Sequence, residues 1–338
     1  MLATQQAIAF QSSLIDWFRE VGKDYPWRQT IDPWHILVSE VMLQQTQVAT
    51  VLGKGFYTRF LERYPTPASI SHAPEQEILS AWEGLGYYRR VRNLQKAAKA
   101  ICENHEGVFP TQHAEILDLP GIGQYTAGAV ASFAYNQSQP LVDANVARVF
   151  SRLFDYQERV DSTAGTKQLW QWAGELVSPG QPRLYNSALM ELGQQICTNK
   201  SPHCGICPVK VYCQTSEPTR LPLKKARKKT VLLDELCMLA IDQKNKTVLL
   251  HKASDTARRS GMWKLPERQA HELENQPLLL QRNYAITHHK VTLYVYQAPE
   301  KIELLEDEAW QPLTSLDALP LPSPFRRALN TLLQDHFA

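Results

Sequence analysis

The sequence predicts a two-part protein, with a mostly α-helical domain over residues 1–221 and an α+β domain over residues 231–338. Three observations support this division. Apolar residues recur with the period of a helix in the first part, a basic segment at residues 222–230 interrupts the chain, and short β-branched runs follow it. A chain of 338 residues is long enough to bury a separate core in each part.

Helices are predicted in the first part because apolar residues recur every three or four positions and would line one side of a helix. Two such stripes are Leu14, Ile15, Phe18 and Val21, and Val146, Val149, Phe150 and Leu153. Proline and glycine separate the stripes, which is typical of short helices joined by turns.

The composition changes after Cys213. No acidic residue lies between Glu217 and Asp234, and the basic residues of this stretch include Lys224, Lys225, Arg227, Lys228 and Lys229. The segment is either a solvated hinge or a strap that contacts phosphate. Beyond it, the predicted elements are strands at residues 231–241, 247–251 and 291–297 and a closing helix at residues 325–337.

Composition excludes several classes of protein. A hydrophobic fraction of 43% and a charged fraction of 21% are ordinary for a folded protein. The first residues lack the pattern of a secretory signal and no apolar run is long enough to cross a bilayer, so we predict a cytoplasmic protein without a membrane partner. Residues 1–215 carry 18 Lys and Arg against 19 Asp and Glu. Bulk charge therefore does not argue for DNA, and local loops and helix ends would have to hold it.

Four of the six cysteines form a compact cluster, Cys197-x6-Cys204-x2-Cys207-x5-Cys213. In a cytoplasmic chain, clustered thiols are metal ligands more often than disulfides. Zinc ribbons use two close pairs separated by a longer insert, whereas these four positions lie within 17 residues. The spacing therefore favours a 4Fe-4S cluster over zinc.

The segment Leu119-Pro-Gly-Ile-Gly-Gln-Tyr-Thr-Ala127 follows one predicted helix and opens another. Gly121 and Gly123 permit a positive φ and close approach of a ligand, so backbone N–H groups at the start of the second helix can face an anion. The segment is thus either a DNA phosphate site or a plain turn between helices.

Two acidic residues have both a chemical and a purely structural explanation. Glu40 and Gln44 are four residues apart in a predicted helix that runs to Val48, and would share one face of it. Taken alone, Glu40 is explained as a first-turn acid that complements the helix dipole. Asp143 precedes an amphipathic helix and is placed as its N-cap.

Five motifs occur in one order: Ser-Glu40-Val-Met-Leu-Gln-Gln-Thr-Gln-Val, Gly84-Leu-Gly-Tyr-Tyr-x-Arg, the segment 119–127, Val-Asp143-Ala-Asn-Val and the cysteine cluster. Together they resemble the MutY-type adenine DNA glycosylases, within the endonuclease III superfamily of helix-hairpin-helix proteins, across roughly residues 8–215. The resemblance implies a monomeric repair enzyme that hydrolyses the N-glycosidic bond of adenine paired with 8-oxoguanine or guanine in double-stranded DNA. It also implies a 4Fe-4S cluster on residues 197–213.

By this resemblance, Glu40 is the general acid that protonates adenine at N7, and Asp143 stabilises the oxocarbenium-like sugar. Endonuclease III relatives have a lysine at the position of Tyr125, whose amine forms a Schiff base with the sugar. Tyrosine cannot do so, which implies a monofunctional glycosylase in which Tyr125 orients Asp143. The other implied residues are Asn145, which also orients Asp143; Trp27, Arg28 and Glu191, which line the adenine pocket; Gln45 and Tyr87, which insert into the duplex; and Gln44, Gly121 and Gly123, which contact DNA.

The last third resembles the MutT-like (Nudix) fold that MutY-type proteins carry, through Thr247-Val-Leu-Leu-His-Lys and Gly261-Met-Trp-Lys-Leu-Pro. No glutamate-rich metal box follows Pro266, which argues against nucleotide hydrolysis. The segment 284–289 is similar to the Phe-Ser-His loop that reads 8-oxoguanine, with isoleucine in place of the aromatic ring and threonine in place of serine. Thr287 and His288 are therefore expected to read the lesion, or else to cap an exposed strand.

Four other functions stay open. The helical part also fits a mismatch thymine glycosylase or an endonuclease III-like enzyme for oxidised pyrimidines, although Tyr125 argues against strand cleavage and the second domain argues against both. A mismatch-binding protein without catalysis would use Glu40 and Asp143 only as helix-end acids. Magnesium-dependent nucleotide hydrolysis would need the acidic residues that the second domain lacks.

Overall fold

The computed structural model describes residues 2–226, 229–254 and 259–337. Arg227 and Lys228 of the predicted basic linker lie outside the described residues. The chain forms two compact units, of which the first combines Met1–Ser71 with Asn93–Ala226 and the second combines His72–Arg92 with Arg227–Ala338. Within the part of the chain that is described, no helix has the length and apolar character needed to span a bilayer.

The helices up to residue 195 follow one another closely. Their bounds are α1 Thr4–Val21, α2 Pro33–Leu43, α3 Val48–Gly53, α4 Phe56–Arg63, α5 Pro67–Ser71, α6 Glu75–Ala81, α7 Arg89–Asn104, α8 His113–Asp118, α9 Gln124–Tyr135, α10 Ala144–Leu153, α11 Thr163–Leu176 and α12 Pro182–Gln195. Of these, α6 and the first residues of α7 belong to the second unit and the rest to the first. The helical prediction for the first part of the chain is confirmed.

A buried core in the first unit joins α1, α10, α11 and α12. The predicted stripes supply much of it, because Leu14 and Phe150 are fully buried, whereas Val21 ends α1 and is 46% exposed. Asp143 caps α10 by accepting the backbone N–H of Val146, as predicted. The apolar period of the sequence therefore located the helices that carry the core.

The helix that contains Glu40 is shorter than predicted. It ends at Leu43, Gln45 has a φ of 57°, and α3 starts separately at Val48. A residue in the left-handed region cannot continue a right-handed helix, so the prediction of one continuous helix to Val48 is wrong. The first-turn explanation of Glu40 is also wrong, since α2 begins at Pro33.

Strands dominate the second unit beyond residue 230. The elements are β1 Val231–Leu239, β2 Ile241–Asp242, β3 Thr247–Lys252, β4 Trp263–Lys264, α13 Ala270–Leu273, β5 Leu278–Ile286, β6 His289–Gln297, β7 Glu308–Pro312 and α14 Ser323–Phe337. One sheet has the order β1-β6-β5, with β1 parallel and β5 antiparallel to β6. In the other, β3 pairs antiparallel with β2, β4 and β7. The α+β prediction is confirmed, and Phe325 of α14 packs in the core with Leu293 and Val295.

The segment that was expected at the start of a strand is a hairpin turn. Ile286 ends β5 and pairs with His289, the first residue of β6, so that Thr287 and His288 form the two-residue connection. Thr287 has a φ of 54°. A β-branched residue is strained in this region, which costs about 1–3 kcal/mol.

The hairpin between α8 and α9 uses only one of its two glycines for a left-handed conformation. Gly121 has a φ of 78°, whereas Gly123 has a φ of −102° and is the N-cap of α9. An added Cβ at Gly121 would lie 2.6 Å from Asn93 Cβ. At Gly123 no atom would lie within 4 Å of it.

We expect Gly121→Ala to lower the free energy of unfolding by about 2–3 kcal/mol, because alanine is strained at this φ and its Cβ collides with Asn93. Gly123→Ala is the matched control and should cost under about 1 kcal/mol, the loss of a favourable capping residue. Urea denaturation of both variants measures the difference. Equal losses at the two positions would contradict this geometry.

Candidate active site

Glu40 is the eighth residue of α2 and is only 5% exposed. Burial raises the pKa of this carboxyl to about 7. A hydrogen bond from Tyr125 opposes the increase, the Asp143 carboxylate adds to it, and the cation of Arg28 opposes it. A pKa near neutrality lets Glu40 hold a proton and give it up, which suits a general acid.

Tyr125 brings a hydroxyl donor to Glu40 from the second position of α9. Burial, followed by the carboxylates of Glu40 and Asp143, raises the tyrosine pKa well above its usual value. The hydroxyl therefore stays protonated and acts as a donor. No amine stands at this position to form a Schiff base.

Asp143 reaches the same place from the N-terminus of α10. Its carboxylate accepts the N–H of Val146 at 2.7 Å and the side-chain amide of Asn145 at 2.8 Å. Arg148 Nη2 in turn donates to Asn145 Oδ1 at 2.9 Å, which sets the orientation of the amide. The structure thus brings Glu40, Tyr125, Asp143 and Asn145 together from three helices.

A cleft opens beside Glu40, and Trp27 and Arg28 line it. Arg28 Nη2 lies 2.7 Å from Glu191 Oε2, and Glu191 is fully buried. Trp27 is 9% exposed and stacks on Tyr25 at 5.1 Å between ring centroids, so it is both core and lining. Glu191 pairs with Arg28 but is not among the residues that line the cleft. The Arg28 cation, the Trp27 ring and the Glu40 carboxyl are suited to a flat, polar heterocycle.

Tyr25 and Arg183 also line the cleft, and neither was predicted from the sequence. Arg183 Nη2 donates to the carbonyls of Arg28 and Thr30, each at 2.7 Å, and so holds the short turn that carries Trp27. A single arginine near the start of α12 has no sequence signature. Its role follows only from the approach of α12 to that turn.

Comparison with known proteins identifies the family of this chain. The family described as HhH-GPD superfamily base excision DNA repair protein matches residues 38–175, which include Glu40, Tyr125 and Asp143. The adenine DNA glycosylase of Buchnera aphidicola subsp. Baizongia pistaciae is 34% identical over 261 residues, which cover 76% of this chain and 72% of that protein. The chain belongs to the adenine DNA glycosylase family.

Other relatives extend the comparison. The human adenine DNA glycosylase is 41% identical over 222 residues, and this match spans 63% of the present chain but 40% of the human protein. Among solved structures, a thermostable thymine-DNA glycosylase superposes with a TM-score of 0.57 at 32% identity and covers 62% of this chain and 95% of its own. A non-covalent endonuclease III–DNA complex gives 0.54 at 25% identity, with coverage of 65% and 98%. The helical glycosylase fold is therefore shared across the superfamily.

In this member of the adenine DNA glycosylase family, the four clustered cysteines are neighbours. The pKa of Cys207 is raised to about 11, chiefly by burial, and the nearby sulfurs of Cys197, Cys213 and Cys204 contribute to the increase. Arg152 Nη1 donates to Cys197 Sγ at 3.3 Å. Four neighbouring thiols fit an iron–sulfur cluster, because its cationic core would offset the charge of the thiolates and Arg152 donates to one of the sulfurs.

The same thiols do not converge on a single point. Among the described residues, no three His, Cys, Asp or Glu side chains are close enough to share one metal ion. In a 4Fe-4S cluster each cysteine binds a different iron, so such convergence is not required.

Two of the residues predicted to contact the duplex have a strained backbone conformation. Gln45 and Tyr87 have φ values of 57° and 50°, and both side chains are exposed. Gln44 is also exposed, in the turn that ends α2. Residues that are held at positive φ without being glycine often occur at ligand contacts, because the fold must hold them there against their preference.

We expect the free energy of unfolding of Glu40→Gln to rise with pH relative to that of the parent chain. The folded pKa of Glu40, about 7, lies above the usual value of 4.5, so the stability that the protonated group contributes is present below about pH 4.5 and is lost as pH rises to about 7. Glutamine cannot lose a proton. The variant should therefore gain about 2–3 kcal/mol relative to the parent between pH 5 and pH 8.

Urea denaturation across that range tests this expectation, and Glu20→Gln, at an exposed acid of α1, controls for the removal of a charge. A constant difference between Glu40→Gln and the parent chain would show that Glu40 is not held in its neutral form.

Proposed function

We propose that this chain is a monofunctional adenine DNA glycosylase that removes adenine paired with 8-oxoguanine or guanine from double-stranded DNA. The observation that carries the proposal is the buried Glu40 with its raised pKa, held by the Tyr125 hydroxyl and facing Asp143. Two carboxyl groups in different environments are the arrangement that N-glycosidic bond hydrolysis requires. The curated relatives named adenine DNA glycosylase support adenine as the substrate base.

In the proposed reaction, neutral Glu40 donates its proton to N7 of adenine, so that the base leaves uncharged. The electron pair of the glycosidic bond goes to the base, and positive charge develops on the sugar. Ionised Glu40 can then accept a proton from the attacking water, which restores the acid. The same group therefore acts first as an acid and then as a base.

Asp143 would stabilise the cationic sugar or bond to it transiently. The N–H of Val146 and the amide of Asn145 hold its carboxylate in place, so little reorganisation is needed when charge develops. Tyr125 donates to Glu40 and helps to orient Asp143. Since Tyr125 cannot form a Schiff base, the strand should remain intact after the base is released.

The target base must leave the helix stack to reach Glu40. We assign its recognition to Trp27 and to the Arg28–Glu191 pair, and we assign insertion into the duplex to Gln45 and Tyr87. Gly121 and Gly123 would present the start of α9 to a DNA phosphate. Gln44 would contact DNA beside Gln45.

The carboxyl-terminal region, residues 231–338, is proposed as a MutT-like domain that reads 8-oxoguanine through Thr287 and His288. Thr287 Oγ1 lies 3.3 Å from His289 Nδ1, and the rings of His288 and His289 are 4.1 Å apart. The strained turn thus presents a hydroxyl and imidazoles together. Residues 1–221 would form the helix-hairpin-helix domain, with residues 222–230 as the linker.

A 4Fe-4S cluster on Cys197, Cys204, Cys207 and Cys213 is proposed to complete the helical domain. When bound, it would cross-link residues 197–213 and hold their shape against α10. We propose that the protein acts as a monomer on DNA, in the compartment that holds the chromosome.

The deciding experiment is single-turnover excision by the full chain. The substrates are duplexes with adenine opposite 8-oxoguanine, adenine opposite guanine, thymine opposite guanine, and thymine glycol opposite adenine. We expect adenine release, with strand breaks that appear only after alkali. The rate should fall as pH rises through about 7, because Glu40 loses its proton.

Glu40→Gln should bind the first duplex normally and lose roughly 10²- to 10⁴-fold in rate, whereas Glu20→Gln should match the parent chain. Release of thymine, or cleavage at thymine glycol without alkali, would support a pyrimidine enzyme instead. Normal binding by the parent chain with no excision would indicate a mismatch-binding protein.

Iron and sulfide analysis of the purified chain tests the cluster. We expect about four of each per chain, since one cluster has this composition, and loss of both in Cys207→Ser. Cys102→Ser, at a cysteine outside the cluster, is the control and should keep them. Stoichiometric zinc without iron would contradict the proposal.

A further inference from the structure

Residues 72–92 belong to the same compact unit as the carboxyl-terminal region. An ion pair between Glu83 and Arg326 joins residues 72–92 to α14. Arg326 Nε lies 2.8 Å from Glu83 Oε1, and Arg326 Nη2 lies 2.8 Å from Glu83 Oε2. The pair is therefore bidentate, a geometry that fixes direction as well as distance.

The guanidinium of Arg326 is held on its other side as well. Nη1 donates to the carbonyl of Leu316 at 2.7 Å, and Nη2 donates to that of Leu319 at 2.8 Å. The side chains of Arg326 and Glu83 are 14% and 20% exposed. Because both are largely shielded from water and Arg326 has little freedom, this pair restrains Glu83 more than a surface ion pair would.

Glu83 directly precedes the turn that presents Tyr87. In this turn Gly84, Gly86 and Tyr87 have φ values of 92°, 68° and 50°. Tyr87 is 46% exposed, and a tyrosine at this φ is strained by about 1–3 kcal/mol. The turn would relax unless its surroundings held it.

Neighbouring side chains bind the carbonyls of the turn. Trp82 Nε1 donates to Gly86 O at 3.2 Å, and Arg90 Nη2 donates to Leu85 O and Gly86 O, each at 3.1 Å. These donors lie on residues 82–90 themselves and shape the turn from within. The Glu83–Arg326 pair joins the start of the turn to α14.

A second contact lies on the far side of the turn. Arg92 donates to the carbonyl of Ser260 and pairs with Glu75. Burial raises the pKa of Tyr88 and the Glu83 carboxylate raises it further, while Arg326 and Arg259 oppose the increase. Charges from the carboxyl-terminal region therefore lie next to the residue that follows Tyr87.

We propose that the Glu83–Arg326 pair is a positioning contact through which α14 holds the Tyr87 turn ready for insertion into DNA. The inference rests on the proposed function in one respect, the assignment of Tyr87 as an inserting residue. It adds a second role for the carboxyl-terminal region, which acts on the distortion of the duplex as well as on the lesion.

The test measures unstacking of DNA by the full chain, through the fluorescence of 2-aminopurine placed beside an adenine opposite 8-oxoguanine. Glu83→Gln and Arg326→Lys keep the size of each side chain and lose the paired charge or the bidentate geometry. Each should weaken unstacking about 3- to 30-fold. The double variant should unstack DNA as well as the more impaired single variant does, because each substitution removes the same contact.

The matched control is Glu308→Gln in the Arg268–Glu308 pair. This pair is also bidentate and largely buried in the same unit, but its further contacts include Glu267, Glu272, Glu303 and Leu305, none of them in residues 72–92. Glu308→Gln should lower the melting temperature as Glu83→Gln does, but it should unstack DNA as well as the parent chain does. Tyr87→Ala should abolish most of the fluorescence change.

The proposal is overturned if Glu83→Gln and Arg326→Lys, folded by thermal melting, unstack DNA like Glu308→Gln, or if Tyr87→Ala unstacks normally. Excision separates this failure from that of the proposed function. If the parent chain releases adenine and the variants unstack DNA normally, only the positioning role is wrong. A parent chain that unstacks the mispair but releases no base sinks only the enzymatic proposal, and one that does neither sinks both.

Discussion

A buried cation determines how the candidate site is assembled. Arg152 is 1% exposed, and a charge this deep in a protein is tolerated only where its N–H groups all find acceptors. Those acceptors are Cys197 Sγ and the carbonyls of Cys197, Thr198, Asn199 and Leu221. Because these residues bracket the cysteine cluster, α10 and residues 197–221 are fixed against each other. Asp143 caps the other end of α10, so the same requirement places the catalytic candidate.

The two acids differ because of where their helices put them. Glu40 lies in the middle of α2, away from free backbone N–H groups, and burial raises its pKa. Asp143 lies at a helix start, where backbone and amide N–H groups meet its carboxylate. Tyr125 from α9 links them. A buried acid with a raised pKa therefore lies close to a carboxylate that hydrogen bonds hold in place.

Much of the fold followed from the sequence because helix and strand periods are local. The stripe at Leu14 to Phe18, the cap at Asp143 and the alternation at Val291 to Val295 all lie where predicted. The predictions that were wrong concern the backbone conformation of single residues. A left-handed Gln45 ended α2 early, and Thr287 turned an expected strand start into a hairpin. No local pattern predicts a non-glycine residue at positive φ, since surrounding contacts must impose it.

The sequence by itself identified the candidate residues for the chemistry, because the motif order, the cysteine spacing and the tyrosine at position 125 can be read directly from it. Only the tertiary structure decided how they act. The pKa of Glu40 depends on burial by residues distant in the chain, and Arg183 and Arg326 have meaning only through the carbonyls and the carboxylate that they reach. Proton affinity and orientation are properties of an environment, and that environment exists only after the chain has folded.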